Sequence, residues 1–263
     1  MTAPTLLLTG ALGVALMMLA LWLIQLRTRN AAIVDAGWAG GLAGLAVFYA
    51  AASDGDPIRR ALVAAMGGLW GLRLALYLLF TRVVGRPEEG RYQHLRQIWA
   101  KNLNLKFLTF FQLQALLDVL LSVPFLLPAM NARAGLSVVE QAAVALFVGA
   151  LVGELAADAQ LTRFKAEPAS HGRVCDVGLW RYSRHPNYFF EWLIWVAFAL
   201  FALSSPNGWL AVLGPALILY FLLRVTGIPA TEAQALRSKG EAYRRYQETT
   251  SAFVPWPRRR DRS

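Results

Sequence analysis

Pairs of polar side chains stand one helical turn apart within long apolar stretches of this sequence. Glu154 and Asp158 are four residues apart, as are Asn187 and Glu191. Residues at this spacing lie on one face of a helix, so each pair presents two polar groups together. A charge at the centre of a bilayer costs about 2.5–3.5 kcal/mol on insertion scales. Each pair therefore requires either an interaction partner or a functional role.

Further polar and aromatic residues fall at the same predicted depth. They are Asp35 with Trp38 three residues later, the helically spaced set Trp70, Arg73 and Tyr77, and Arg224. One interpretation is that these groups form ion pairs and hydrogen bonds that hold a helix bundle together. The other is a polar pocket, open to the cytoplasm, beneath an apolar chamber. We favour the pocket, because five helices share this layer.

The composition places these elements in a membrane. Hydrophobic residues make up 57% of the 263 positions and charged residues 16%, whereas soluble domains have about 45–50% and 25%. The apolar runs cover residues 4–26, 31–52, 61–80, 107–130, 138–157, 188–203 and 209–223. As a helix, the first run is about 34 Å long, enough to cross a hydrocarbon core of about 30 Å. We predict an all-α integral membrane protein: one domain, residues 1–263, of seven transmembrane helices, with a catalytic region at about 138–256.

The charges predict the orientation and the class of partner. Of the 26 Lys and Arg residues, 22 lie in the segments on one side of the predicted spans and three on the other. Since Lys and Arg prefer the cytoplasmic side, the N-terminus is predicted outside and the C-terminus inside. The net charge of +10 lies between apolar spans, which suits anionic lipid or an anionic cofactor and argues against nucleic acid. With Cys175 as the one cysteine and no helical spacing among the histidines, we predict no metal site.

Three segments carry a family resemblance. Residues 178–192 read Gly-Leu-Trp-Arg-Tyr-Ser-Arg-His-Pro-Asn-Tyr-Phe-Phe-Glu-Trp, residues 154–158 precede them as Glu-Leu-Ala-Ala-Asp, and residues 240–246 follow as Gly-Glu-Ala-Tyr-Arg-Arg-Tyr. Together they resemble the C-terminal catalytic region of the steroid 5-alpha-reductase family, and the likeness extends over about residues 70–256. It is closest to the bacterial members, which implies a multi-pass protein of the bacterial inner membrane.

The resemblance implies a seven-helix enzyme that uses NADPH to reduce a carbon–carbon double bond conjugated to a ketone in a flat lipid, such as a 3-oxo-Δ4 steroid. The partners would be this lipophilic enone and the membrane lipids. The candidate cofactor-binding residues are Arg73, Arg82, Arg86, Glu154, Asp158, Lys165, Arg173, Tyr182, His185, Asn187, Arg224 and Glu232. The cations among them are sufficient for a pyrophosphate and a 2′-phosphate, and the latter favours NADPH over NADH.

The chemistry also requires a group at the substrate ketone. Hydride addition to the β-carbon of an enone builds negative charge on the ketone oxygen, which a hydrogen-bond donor stabilises. Asp35, as a neutral carboxylic acid, and Tyr77, as a phenol, are the alternative donors. Asp35 stands where animal steroid enzymes of the family have a Gln-Glu pair. Glu191 completes the candidate catalytic set, and Trp38 and Trp70 are candidate substrate-binding residues.

Two other classes of function fit parts of the sequence. A membrane methyltransferase of the isoprenylcysteine carboxyl type, which uses S-adenosylmethionine, shares the Arg-His-Pro-x-Tyr motif and a similar tail, and would bind its adenosyl cofactor through Glu232. It gives no reason for the Asn187/Glu191 and Glu154/Asp158 pairs. A scaffold or small transporter is the third class, although the repeats typical of transporters are missing. Binding of NADPH discriminates among the three.

Overall fold

The computed structural model describes residues 1–258, and 78% of these residues are helical. In this described part, seven helical segments are long and apolar enough to cross a membrane, as the sequence predicted. They are Ala3–Thr28, Ile33–Ala52, Pro57–Val83, Leu103–Ala129, Val138–Ala166, Pro186–Leu203 and Gly208–Lys239. Residues 1–258 contain no extended strand, so helix packing alone builds the fold.

The spanning segments contain breaks that hydropathy does not reveal. The third comprises α3 (Pro57–Leu78) and a π-helical turn (Leu79–Val83), and the fourth comprises α5 (Leu103–Leu121) and α6 (Val123–Ala129). The remaining helices are α1 (Ala3–Thr28), α2 (Ile33–Ala52), α4 (Gly90–Ile98), α7 (Val138–Ala166), α8 (Pro186–Leu203), α9 (Leu213–Tyr220), α10 (Ile228–Lys239) and α11 (Glu241–Thr249). A second π-helical turn, Phe221–Val225, follows α9 and precedes α10.

Residues 1–137 with 202–210 form one compact unit, here called the first unit. Its most extensive helix pair is α2 with α3, and α1 packs on both α2 and α5. Small residues allow the close approach of α2 and α3. A Cβ atom added at Gly71 would lie 2.7 Å from the carbonyl oxygen of Ala39, so the backbones can meet here only because residue 71 lacks a side chain.

Two buried charged residues of the first unit have very different surroundings. Arg59 is fully buried, and its guanidinium donates to the carbonyl oxygens of Asn131 (3.1 Å), Arg133 (2.6 Å) and Gly135 (2.5 Å). Asp118 on α5 is also fully buried, but neither carboxyl oxygen has a hydrogen-bond partner within residues 1–258. Arg59 therefore fixes the chain after α6, whereas no hydrogen bond within the described residues compensates for the burial of the Asp118 carboxyl.

Residues 138–201 with 211–258 form the second unit. It contains α7, nearly all of α8, and α9 to α11. The ring of Phe190 on α8 packs against Gly153 on α7, where an added Cβ would come within 2.4 Å of it. Phe147 and Phe198 continue the contact between these two helices, with ring centroids 5.6 Å apart. α7 continues to Ala166, nine residues beyond the apolar run that predicted it.

Candidate functional site

Asp35 lies in the first turn of α2 and is held by two residues at the start of α4. The guanidinium of Arg91 forms an ion pair with one carboxylate oxygen of Asp35, and the Tyr92 hydroxyl donates to the other at 2.8 Å. Tyr92 is almost fully buried, and this burial, together with the Asp35 charge, raises the pKa of its phenol well above the usual value. Both oxygens of Asp35 therefore act as acceptors.

A second cluster fastens the segment before α4 to the same end of α2. The carboxylate of Glu88 accepts the backbone N–H of Ala31 at 2.7 Å and binds the Arg96 guanidinium at 2.7 and 3.0 Å. Arg96 also donates to the side-chain oxygen of Gln25 on α1. The polar segment between α3 and α5 is thus an ordered part of the first unit that fixes the position of Asp35.

Four other predicted residues of the first unit lie on α2 and α3. The rings of Trp38 and Trp70 meet edge to face, with centroids 6.3 Å apart, and Trp70 is fully buried. Along the same face of α3, exposure rises from Trp70 through the half-buried Arg73 to Tyr77, which is 47% exposed.

Arg82 and Arg86 follow Tyr77 along the chain. Arg82 lies on the π-helical turn and pairs with Glu89 at 3.2 Å. The Arg86 side chain is exposed, and its backbone carbonyl accepts a hydrogen bond from Asn30.

In the second unit, two of the predicted polar residues contact each other. The side-chain amide of Asn187, at the start of α8, donates to the carboxylate of Asp158 on α7 at 3.1 Å. One turn further along α8, Glu191 accepts the indole N–H of Trp195 at 3.1 Å. The Asn187–Asp158 contact fixes the amide of Asn187, whose oxygen in turn accepts the backbone N–H of Tyr188.

Glu232, on α10, is the centre of the largest polar network in the second unit. Its carboxylate accepts from Arg184 Nε at 2.7 Å, from Gln247 Nε2 at 2.7 Å, and contacts His185 Nε2 at 3.2 Å. The Arg184 guanidinium also donates to the carbonyl oxygens of Gln247 (2.9 Å) and Thr250 (2.5 Å). These hydrogen bonds link the segment before α8 to α10 and α11 and fix their relative positions.

The chain after α11 runs beside the segment that contains Arg184. The hydrogen bonds are Arg184 N to Ser251 O (2.8 Å), Ser183 Oγ to Phe253 O (2.8 Å) and Trp256 N to Tyr182 O (2.9 Å). A cavity of about 280 Å³ adjoins Arg184 here and is lined by residues 247–252 and Trp256. The end of the chain therefore helps to hold Arg184 and His185 in place.

The remaining predicted residues of the second unit divide by exposure. Lys165, Arg173 and Arg224 are exposed, and their side chains have no hydrogen-bond or ion-pair partner within residues 1–258. Tyr182 is 46% exposed, whereas Glu154 is buried on α7. Unpaired, exposed cations of this kind are available to bind an anion.

Sequence reasoning missed several residues that organise the polar clusters of the first unit and of the second unit. Arg91 and Tyr92 lie 56 and 57 positions after Asp35, and Gln247 lies 15 after Glu232. Arg184 was visible in the Arg-His-Pro motif but had no assigned role. The available signal was the length of the polar segments between spans, because loops of that length are usually functional or disordered.

Comparisons with known proteins identify relatives of this chain. A family model described as a protein of unknown function (DUF1295) matches residues 21–250. The uncharacterized protein C594.04c of Schizosaccharomyces pombe is 29% identical over 271 aligned residues, which cover 89% of this chain and 75% of that protein. No solved structure matches the chain.

Proposed function

This chain belongs to the DUF1295 family, and from that premise we propose that it is an NADPH-dependent membrane reductase. Its reaction is the reduction of a carbon–carbon double bond conjugated to a ketone in a lipophilic substrate, in the specific case a 3-oxo-Δ4 steroid. The family includes steroid 5-alpha-reductase-like proteins, which supports this class of reaction. The seven apolar segments support a substrate that reaches the protein from the lipid phase.

The observation that carries the proposal is the set of groups that the second unit leaves available to a dinucleotide. Asn187 is fixed by Asp158, while Lys165, Arg173 and Arg224 remain exposed and unpaired within the described chain. A positioned amide suits a carboxamide, and cations suit phosphates, so the donor set fits NADPH. When bound, NADPH supplies the hydride, and this chain supplies binding, orientation and charge.

The first unit supports a choice between the two proposed donors to the substrate ketone. Charge gathers on that oxygen as the double bond is reduced, so the group facing it must donate a hydrogen bond. Asp35 accepts from both Arg91 and Tyr92, which is the arrangement of a carboxylate. Tyr77 is 47% exposed as a residue and its phenol can donate a hydrogen bond, and it is the donor that we propose, with Asp35 ordering the segment around it.

The surroundings of Glu232 argue against methyl transfer. In that alternative, Glu232 binds the adenosyl cofactor. Here its carboxylate already accepts from Arg184, His185 and Gln247. A carboxylate that accepts from three of the protein's own donors serves to position those groups, and we therefore do not propose S-adenosylmethionine as the cofactor.

The test is NADPH binding to the purified protein, measured by the change in nicotinamide fluorescence. Lys165→Ala and Arg224→Ala should each weaken binding about tenfold to a hundredfold, because each removes a charge-assisted hydrogen bond to phosphate. Asp158→Ala should weaken binding by releasing Asn187. Consumption of NADPH with androst-4-en-3-one then tests the reaction itself.

Arg163→Ala provides a matched control for Lys165→Ala. The two residues are exposed at the same end of α7 and carry the same charge, but they are two positions apart and so lie on opposite sides of the helix. Equal losses of affinity in both variants would mean that NADPH binding depends only on the overall charge of the protein. If the wild type bound neither NADPH nor NADH but bound S-adenosylmethionine, the reductase would be the wrong class of enzyme.

A further inference from the structure

Trp38 on α2 carries a hydrogen-bond donor that the protein does not use. Its indole nitrogen is buried and has no acceptor within residues 1–258. Other indoles of the chain do have acceptors: Trp22 donates to the carbonyl of Asn104 at 3.1 Å, and Trp180 donates to the carbonyl of Ala157 at 2.9 Å. A buried indole N–H normally finds a partner, so an unmatched one requires an explanation.

The Trp38 ring has apolar neighbours. Its side chain packs against a cluster of Ala36, Ala39 and Leu78, against which Leu74 also packs, and its ring meets Trp70 edge to face. The side chain as a whole is only partly buried, so part of it remains accessible. A site that combines apolar walls with one unmet N–H suits an apolar molecule with one accepting oxygen.

Asp35, one turn before Trp38, does not meet this description. Its carboxylate is occupied by Arg91 and Tyr92, and a carboxylate would repel an oxygen that gains negative charge. The indole N–H is neutral, cannot be deprotonated at ordinary pH, and is fixed by packing, so it can donate without itself changing charge.

We propose that the Trp38 indole N–H donates a hydrogen bond to the ketone oxygen of the lipid substrate. This rests on the proposed reductase function and makes Trp38 the residue that selects a lipid with an accepting oxygen over the corresponding hydrocarbon. Trp38 orients the substrate and stabilises charge on its oxygen, while the proton delivered to the substrate comes from another group.

The test compares two ligands that differ only in the ketone, androst-4-en-3-one and androst-4-ene, in binding to the purified protein without NADPH. The ratio of their affinities measures the preference for the oxygen. Incorporation of 3-benzothienylalanine at position 38 keeps the shape of the ring and removes the N–H, and Trp38→Phe is the second variant. Either change should lower the ratio about threefold to tenfold, the effect of one neutral hydrogen bond.

Trp22→Phe is the matched control, because it removes an indole N–H that already has an acceptor in the same unit. Its affinity ratio should equal that of the wild type. An unchanged ratio in the benzothienyl protein would overturn the proposal while leaving the reductase function intact, and so would an equal loss of affinity for both ligands. If the wild type bound neither ligand, the Trp38 proposal and the steroid substrate would both fall, and NADPH binding would then decide the rest of the proposed function.

Discussion

Removal of the Glu232 carboxylate should disrupt the network that fixes Arg184, and its cost can be worked from the contacts. The side chains of Arg184 and Glu232 are only 10% and 14% exposed, and their closest atoms are 2.7 Å apart. Removing one partner from a buried ion pair costs about 3–5 kcal/mol. Arg184 keeps two carbonyl acceptors, at 2.9 and 2.5 Å, so we expect Glu232→Ala to cost about 3 kcal/mol, near the lower end of this range.

Cys175 makes this loss measurable. It is the one cysteine of the sequence, lies in the second unit and is buried, and burial raises the pKa of its thiol. A fluorogenic maleimide should therefore label the protein only as the second unit unfolds. At about 2–4 °C per kcal/mol for a chain of this size, Glu232→Ala should lower the apparent Tm by about 6–12 °C.

Two further variants separate charge from general destabilisation. Glu232→Gln keeps one accepting oxygen without the charge, so its Tm should lie between those of the wild type and Glu232→Ala. Glu248→Ala removes an exposed carboxylate on α11 and should leave Tm unchanged within about 2 °C, as surface substitutions usually do. If Glu232→Ala had the same Tm as Glu248→Ala, the network would contribute little to the stability of the protein. The reasoning from its contacts would then be refuted.

Four other outcomes can be checked with the same protein. Arg59→Met should lower Tm by several degrees, because three carbonyl oxygens lose their donor; an unchanged Tm would contradict this role. Asp118→Leu should raise Tm, since it replaces an unpartnered buried carboxyl with an apolar group of similar shape, and a lower Tm would show that the carboxyl is needed. Burial and the Glu232 charge raise the pKa of Tyr243 from 10.0 to about 12, so the folded protein keeps a proton that the unfolded chain releases. Stability should therefore fall between about pH 10 and 12, and less steeply in Tyr243→Phe, as followed by Tm against pH. A reporter fused after Ser263 should be active only in the cytoplasm, as the charge distribution predicts; activity outside would reverse the orientation.

The seven spanning segments could be predicted from hydropathy because each is a continuous run of apolar residues. Their ends could not. α7 continues through Asp158 to Ala166, although its last residues are polar, because a helix that leaves the apolar layer can keep its backbone hydrogen bonds while its side chains meet water. A polar side chain marks the end of an apolar layer and not necessarily the end of a helix, so the span predicted for α7 was too short.

Helical spacing also gave only part of the site. Asp158 and Asn187 were each predicted to be functional from their own helices, but their contact, 29 positions apart in sequence, depends on how α7 packs against α8. The same holds for Asp35 and Arg91. An i, i+4 pattern describes one helix at a time, whereas the partner of a charged residue is set by tertiary packing. The sequence therefore identified polar residues suited to catalysis or binding. It did not identify which of them are already bound to other residues of the protein.

The two π-helical turns change the direction of the cations that follow α3 and α9. Arg82 and Arg224 lie within Leu79–Val83 and Phe221–Val225, directly after these two helices. A π turn inserts one residue into the helical repeat, which rotates every later side chain by about 100° around the axis. A cation that would continue the apolar face of its helix can then point away from it. π turns occur frequently at functional sites, and each of these two turns carries a cation that the sequence predicts to bind the cofactor.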